Sequence, residues 1–553
     1  MKAQPHRPTP SVRPRRICAA PDMDRCSTMA SPLPGRLLPL LVGALLSGCA
    51  GQHVLGSLAD GATPARKATE ATLRAGSLPL IGRVSERFLS YNVEMVELTG
   101  GRFWKPYRDG VADKADQYEY RPPIDLANPR LRKLAGALAP VYVRYSGTWA
   151  NATVYADVEH HDGPAPEGFD AVLTRAQWRG AIDFAKAVDA RIVTSMATSP
   201  GTRDADGAWQ PDHAARFLSA TKALGGTIWA SEFANEPNLV GGTQPPEGYS
   251  AADYRRDYAR FHTWLATSSP ETQVMAPGAF EFGAGRALPA FIKQLPTEQL
   301  VPDDATRPDI VSFHFYGEIS QRCAGTRPDP QAAQWLGMLD GAIANTMRLR
   351  ARVAPEAPVW LSETAETACG GNPQAAGFAD SFRFVDQLAN AARQGVEVSM
   401  HNTLAASDYA LLDEHSFAPR PNYWAALLWR RTMGTGVLDA RSFAPDPNLR
   451  LYAHCQRAVA GGVTLLAINL GRETAGSISL AGQGEVQAYT LSAVPGDAQR
   501  VALGGEPLAL AAGDALPALE GEAHTGAVPL PASSITFITI PDAANPACSG
   551  TAQ

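Results

Sequence analysis

The chain has 553 residues, of which 45% are apolar and 19% charged, with a net charge of −6 and a pI near 6.0. That length exceeds one ordinary domain and supplies enough apolar side chains for two cores. The acidic balance, with no basic run after Arg36, excludes the electrostatic footprint of a general nucleic-acid or anionic-membrane binder.

In chain order, the first signal is Arg36 followed by the apolar stretch Leu37 to Leu46, which suits an export signal and is too short to span a bilayer. It ends in Leu46-Ser-Gly-Cys49, which resembles the bacterial lipobox, where the cysteine is lipidated and becomes the mature N-terminus. The expectation is an exported protein, otherwise soluble, held by a lipid on Cys49 at the outer membrane and facing the periplasm or the cell surface. A plain signal peptide or a buried helix is the alternative. Met29 offers a second start, so residues 1–49 read as leader plus signal. Residues 50–77, rich in Ala, Gly and Thr, read as a flexible tether.

Periodic structure follows. Short apolar runs at Phe88 to Val96, Val141 to Tyr145, Arg191 to Ala197, Ile228 to Ala234, Val274 to Pro277, Ile310 to Phe315, Val359 to Glu363 and Val396 to His401 predict eight strands. Between them, Arg175 to Val188, Ala214 to Leu224, Ala252 to Thr267, Trp335 to Arg352 and Phe378 to Gln394 carry apolar residues at helical spacing. This alternation predicts an α/β fold, a (β/α)8 barrel over residues 78–435 with its active site at the C-terminal strand ends. Tryptophans concentrate in this region; most read as core, one or two at strand ends as sugar-stacking platforms. After Gly436 the pattern alternates with period two between Gly, Pro and Asp, predicting an all-β sandwich over 436–548. Residues 78–86 offer that sandwich an additional edge strand.

Of seven cysteines, Cys18 and Cys26 fall in the leader and Cys49 takes the lipid. Cys323, Cys369, Cys455 and Cys548 allow three pairings in an oxidising compartment. Their distribution over the two predicted domains favours Cys323 with Cys369 and Cys455 with Cys548. A zinc site is the rival, but no CxxC spacing or paired histidine supports it. No metal, organic cofactor or obligate protein partner is expected.

Two glutamates each close an apolar run: Glu236 in Ile228-Trp-Ala-Ser-Glu-Phe-Ala-Asn-Glu-Pro-Asn238 and Glu363 in Pro358-Val-Trp-Leu-Ser-Glu-Thr364. A retaining glycosidase needs two such carboxylates, one to protonate the departing oxygen and one to attack the anomeric carbon, roughly 5 to 5.5 Å apart. A lone Asn-Glu-Pro reads more readily as a turn that ends a strand; the second glutamate, delivered on an apolar strand where an unpaired charge costs several kcal/mol, favours the pair as catalytic.

The ordered motifs Arg132 to Gly147, Asn235-Glu-Pro-Asn238, Val311-Ser-Phe-His-Phe-Tyr316, Val359 to Thr364 with Cys369-Gly-Gly371, Asp408 to Glu414, Leu451-Tyr-Ala-His-Cys455 and Leu530 to Phe537 resemble glycoside hydrolase family 79, the heparanase and β-glucuronidase family of clan A. The resemblance covers roughly residues 78–548. It implies Glu236 as acid/base, Glu363 as nucleophile and Asn235 as partner of the sugar 2-hydroxyl. It further implies that Tyr316 donates to the nucleophile, and that Gly370, Gly371 and Tyr409 receive the uronate carboxylate. His314 reads as lining the sugar site or bonding within the barrel. His401 and Asn402 lie near a polar substrate contact. Glu232 reads as a structural carboxylate, and Glu366 as a loop residue that is not the nucleophile. The stretch Tyr155 to Asp162 is acidic, and Gly278 to Leu288 holds only Arg286, so binding of a heavily sulfated chain is weakly supported.

The function implied is a retaining β-glucuronidase acting on a glucuronic-acid-containing glycan. The alternatives are a heparanase-like endo-β-glucuronidase, a clan A hydrolase of neutral sugars, and, in another class, a non-catalytic glycan-binding lipoprotein.

Overall fold

The computed structural model describes residues 72–107, 116–240, 246, 248–282, 293–300, 304–323, 325–443 and 446–550. The expected leader, the lipidation site Cys49, most of the tether and residues 283–288 of the loop holding Arg286 lie outside them. Among the described residues no helix is long and apolar enough to cross a membrane.

Eight parallel strands close a barrel in sequence order: β1 (Leu89–Glu94), β2 (Val141–Ser146), β3 (Ala190–Ser195), β4 (Ile228–Glu232), β5 (Gln273–Phe282), β6 (Ile310–Tyr316), β7 (Val359–Thr364) and β8 (Val396–His401). β5 runs well past its predicted end at Pro277. The helices begin where capping chemistry allows: Thr174 and Gln177 form a capping box before Arg175–Ala187, and Ser250 and Asp253 form one before Ala251–Ser268. Two helices that the periodicity did not reveal join the ring, Pro129–Ala137, capped by Asn128, and Pro421–Thr432; among the described residues no α-helix lies between β5 and β6.

The barrel interior changes character with height, because side chains two apart on a strand point the same way. At its base Tyr142, Ala230, Ile310, Trp360 and Val398 form a buried apolar layer, with Trp229 and Trp360 stacked at 5.5 Å. Two residues further up, Arg144, Glu232, Ser312 and Ser362 are all buried. Strand ends above them carry Glu94, His314, Tyr316 and Glu363.

The second part is an unequal sandwich. A nine-stranded sheet includes Leu80–Arg83, Met433–Leu438, Leu449–Gln456, Val463–Asn469, Glu485–Val494, Asp497–Leu503 and Ser534–Ile540. A three-stranded sheet of Thr72–Leu73, Gly476–Leu480 and Ala527–Leu530 covers part of one face, burying Leu73, Ile478 and Val528 against Leu451, Leu465 and Ile538. The opposite face packs on barrel helices: Tyr452, Leu466, Ile468 and Phe537 share one continuous core with Phe382, Val385, Leu427 and Leu428. Leu80–Arg83 pairs antiparallel with Met433–Leu438, and the latter strand runs across the junction expected at 435/436. Disulfides join Cys323 to Cys369 and Cys455 to Cys548.

Candidate active site

A cavity of about 820 Å³ opens at the C-terminal strand ends, with Glu94, Glu236, Tyr316, Glu363, Asn402 and Tyr409 in its wall. Glu236 lies four residues past β4 with φ +46°, a conformation that costs a non-glycine residue roughly 1–3 kcal/mol and gathers at functional sites. Its backbone N–H donates to Gly278 O at 3.1 Å. Glu363 reaches the cavity through a register shift: β7 slips against β8 between Leu361 and Thr364, and against β6 next to His314. Consecutive side chains of a regular strand face opposite ways, but here Ser362 bonds Glu232 at 2.9 Å and Glu363 bonds Arg144 at 2.9 Å. One oxygen of Glu236, one of Glu363 and one ring nitrogen of His314 lie within 4.8 Å of one another.

Arg144 organises this cluster. Fully buried, it donates to Glu232 Oε2 at 2.8 and 3.1 Å, to Glu363 Oε2 at 2.9 Å and to Asn235 Oδ1 at 2.8 Å. Burial works against its charge, but Glu232 and Glu363 outweigh burial and hold its pKa above the ordinary value. Burial would equally raise Glu232; Arg144, and after it His314, hold that carboxyl well below its usual range. Glu232 is therefore a structural counter-ion. Glu363 faces donors: besides Arg144, the Tyr316 hydroxyl donates to its Oε1 at 2.8 Å. That hydroxyl is itself kept protonated, its pKa pushed well up by burial and then by the Glu363 charge.

His314 sits between the two glutamates, Nδ1 3.1 Å from Glu236 and 3.7 Å from Glu363. Burial pushes the imidazole down, but Glu363 chiefly, with Glu232 and Glu236, brings it up to about 9 against the opposition of Arg144. Glu236 moves the other way from Glu232: burial first, then the Glu363 charge, raise it above the usual carboxyl range, while His314 opposes. Two cations thus face Glu232 and Glu363, while Glu236 is biased toward holding a proton, as is Glu94 in the same wall, which burial and then the Glu363 charge push well up.

Asn235 is fixed by Arg144 and by Asn151, whose Oδ1 accepts from the Asn235 backbone N–H at 2.9 Å. Its buried Nδ2 has no partner among the described residues. Asn402 Nδ2 reaches Glu94 Oε1 at 3.0 Å, Tyr316 Oη at 3.1 Å and Tyr409 Oη at 3.3 Å. His401 turns away: Nε2 meets Tyr409 O at 2.7 Å, the ring packs edge-on against Phe384, and burial pushes its pKa down to about 3. Glu366 is buried under its own loop, accepting from Thr367, Asn372 and Gln374. Cys369 lies in the cavity wall. Gly370 and Gly371 follow it at φ +76° and +82°, so close to Trp104 and Tyr409 respectively that a Cβ would stand 2.6 and 3.3 Å from their side-chain atoms.

Sequence reasoning assigned no role to Arg144 or Glu94, and left Trp104 and Trp149 among tryptophans read mostly as core with one or two as sugar platforms. The first two carried a signal, a lone charge inside a buried strand, which demands a partner. Gly147 fits Glu94: at φ +85° its Cβ would stand 1.4 Å from Glu94 Oε2.

No family model matches the sequence. The chain is 28% identical over 388 residues to Heparanase-like protein 1 of Arabidopsis thaliana, covering 65% of this chain and 67% of that protein. It is 26% identical over 409 residues to the heparanase of Mus musculus, covering 63% and 72%. A solved structure of a 4-O-α-L-rhamnosyl-β-D-glucuronidase from Fusarium oxysporum 12S shares the fold, with a TM-score of 0.56 at 16% identity over 84% of this chain and 99% of that one. Barrel, paired glutamates and relatives together define a glycoside hydrolase. Within that class the chain is similar to heparanases and heparanase-like proteins over about two thirds of their length.

Proposed function

We propose that the protein is a retaining β-glucuronidase that cleaves β-linked glucuronic acid by double displacement. The observation that carries this reading is the approach of Glu236 and Glu363 to within 4.8 Å, which suits direct attack and leaves little room for the water that an inverting enzyme places between its carboxylates. Glu363, held by Arg144 and Tyr316, attacks the anomeric carbon. Glu236, biased toward its protonated form, gives its proton to the departing oxygen and then, as carboxylate, draws a proton from the water that releases the sugar. The unpartnered Asn235 Nδ2 serves the 2-hydroxyl, where a hydrogen bond strengthens as the oxocarbenium-like transition state forms. Backbone N–H groups of the Cys369–Gly371 turn, with the Tyr409 hydroxyl, receive the uronate carboxylate without a basic patch.

The two disulfides support the further proposal that the enzyme is exported, with Cys49 as its lipid attachment point. Hydrolysis of an aryl β-glucuronide and an aryl β-glucoside tests the substrate, and NMR of the first-formed sugar tests the stereochemistry. Preference for the glucuronide with β-glucuronic acid appearing first is expected; α-product first, or preference for the glucoside, contradicts it.

A further inference from the structure

The turn assigned to the uronate carboxylate has an unusual backbone. Cys369, Gly370 and Gly371 stand in succession at φ +65°, +76° and +82°, and the first of them carries a Cβ into a region that L side chains rarely adopt. The N–H groups of these three residues donate to no backbone carbonyl among the described residues, while the next one, of Asn372, is taken by Glu366 at 2.9 Å. Gly370 and Gly371 are buried, where an unpaired N–H is costly and points to a missing acceptor.

Hydrogen bonds from the segment after β6 hold both ends of this turn. At its start Ala368 N–H donates to Glu318 O and Ser320 N–H to Ala368 O, both at 3.0 Å. At its end the Ser320 hydroxyl donates to Gly371 O at 2.7 Å and Gln321 N–H to Asn372 Oδ1 at 3.0 Å. Trp104, from a hairpin that pairs Gly101–Trp104 antiparallel with Tyr118–Arg121, lies against Gly370. At Cys369 itself the tie is covalent, to Cys323. Cys323 stands on firm ground, because the neighbouring Arg322 side chain is fully buried, donates to Lys105 O at 2.6 Å and Asp408 Oδ2 at 2.9 Å, and lies 4.0 Å over the Tyr107 ring. Cys323 and Cys369 line the cavity and are partly exposed, whereas Cys455 and Cys548 are fully buried.

We propose that the Cys323–Cys369 disulfide is a specificity determinant: by keeping Cys369 left-handed it holds the N–H groups of residues 369–371 toward the uronate carboxylate. Cys323 and Cys369 are thus positioning residues. With the tie cut, Cys369 relaxes toward negative φ, which rotates the peptide groups on either side of it. Glu363 and Glu236 rest on other supports, Arg144, Tyr316 and His314, and keep their places. Opening the link therefore weakens the hold on the carboxylate and spares the reacting pair. A thiol reductant reaches this link before the buried one in the sandwich. The proposal rests on the glucuronidase reading.

The test measures KM and kcat on 4-nitrophenyl β-glucuronide for the wild type, for Cys323→Ala/Cys369→Ala and, as a control that removes the link in the sandwich, for Cys455→Ala/Cys548→Ala. KM does not depend on what fraction of a preparation is folded. The expected result is a KM raised about tenfold in Cys323→Ala/Cys369→Ala, with a smaller change in kcat, and an unchanged KM in the control. An unchanged KM in Cys323→Ala/Cys369→Ala overturns the proposal and leaves the glucuronidase reading standing. An equal rise in both double variants overturns it as well, since either loss would then act through stability alone. Should Cys323→Ala/Cys369→Ala yield no folded enzyme, the folded wild type is treated with dithiothreitol, which takes the two sulfurs to thiols and itself becomes a cyclic disulfide. KM is then measured before the freed thiols are alkylated and mapped by mass spectrometry. The same rise in KM with Cys323 and Cys369 freed is expected; an unchanged KM, or release of Cys455 and Cys548 in their place, overturns the proposal. A wild type that prefers 4-nitrophenyl β-glucoside sinks the glucuronidase reading and this proposal with it.

Discussion

Three carboxyls lie within reach of one arginine and one histidine, and burial raises both Glu232 and Glu236, but their charged neighbours treat the two differently. Glu232 is tied to Arg144 by two hydrogen bonds and stays charged, whereas the Glu236 side chain meets His314 at 3.1 Å, feels Arg144 only through its charge, and is raised by burial. That split supports the proton-donor role proposed for Glu236 and fixes the sign of a pH experiment. The alkaline limb of kcat/KM reports loss of the Glu236 proton. His314, charged below about 9, lowers the Glu236 pKa, so His314→Gln removes a cation and should move that limb to higher pH. A limb that stays in place or moves down contradicts the assignment. Glu363→Gln should reduce kcat by about 10³-fold or more, because it removes the attacking atom; a loss below about tenfold removes Glu363 as nucleophile. These two glutamates were legible in the sequence because each closes a predominantly apolar run. Arg144 was equally visible as a lone charge in Val-Tyr-Val-Arg-Tyr-Ser, but its partners come from β4 and β7, and no local pattern names them.

At the scale of elements, what positions the site is irregularity. The slip in β7 turns Glu363 inward beside Ser362, and the turn after β2 bends through Gly147 so that Glu94 can lie against it. Gly147→Ala should cost stability, roughly 1–3 kcal/mol from the positive φ, and should displace Glu94 and reduce turnover. An alanine variant with wild-type melting temperature and activity would show that this close approach is unimportant. Strand and helix periodicity predicted the regular parts of the barrel to within a few residues, β5 excepted. It missed Pro129–Ala137 and Pro421–Thr432, and it gave no sign of the hairpin at 101–121. The hairpin's strands are four residues long and hold their place through distant partners, Glu414 for Arg121 and Gly370 against Trp104.

For the whole molecule, the barrel and the nine-stranded sheet share a core through the helices Phe378–Arg393 and Pro421–Thr432. Composition indicated two cores; the contacts join most of the sheet's inner face to the barrel's. Thermal unfolding should therefore be a single cooperative transition, and two well-separated calorimetric peaks would contradict a shared core. The covered outer face depends on the Cys455–Cys548 link, which closes 93 residues; replacing both cysteines by alanine should lower stability by roughly 2–5 kcal/mol in denaturant titration. The central claim, that Glu363 forms a covalent bond to a glucuronyl group, is tested most directly by incubating the enzyme with 2-deoxy-2-fluoro-β-glucuronyl fluoride and mapping the adduct by mass spectrometry. One glucuronyl-derived group on the peptide containing Glu363, with parallel loss of activity, is the predicted result. An adduct on another residue, or turnover of the simple glucuronide without any trapped adduct, would contradict it.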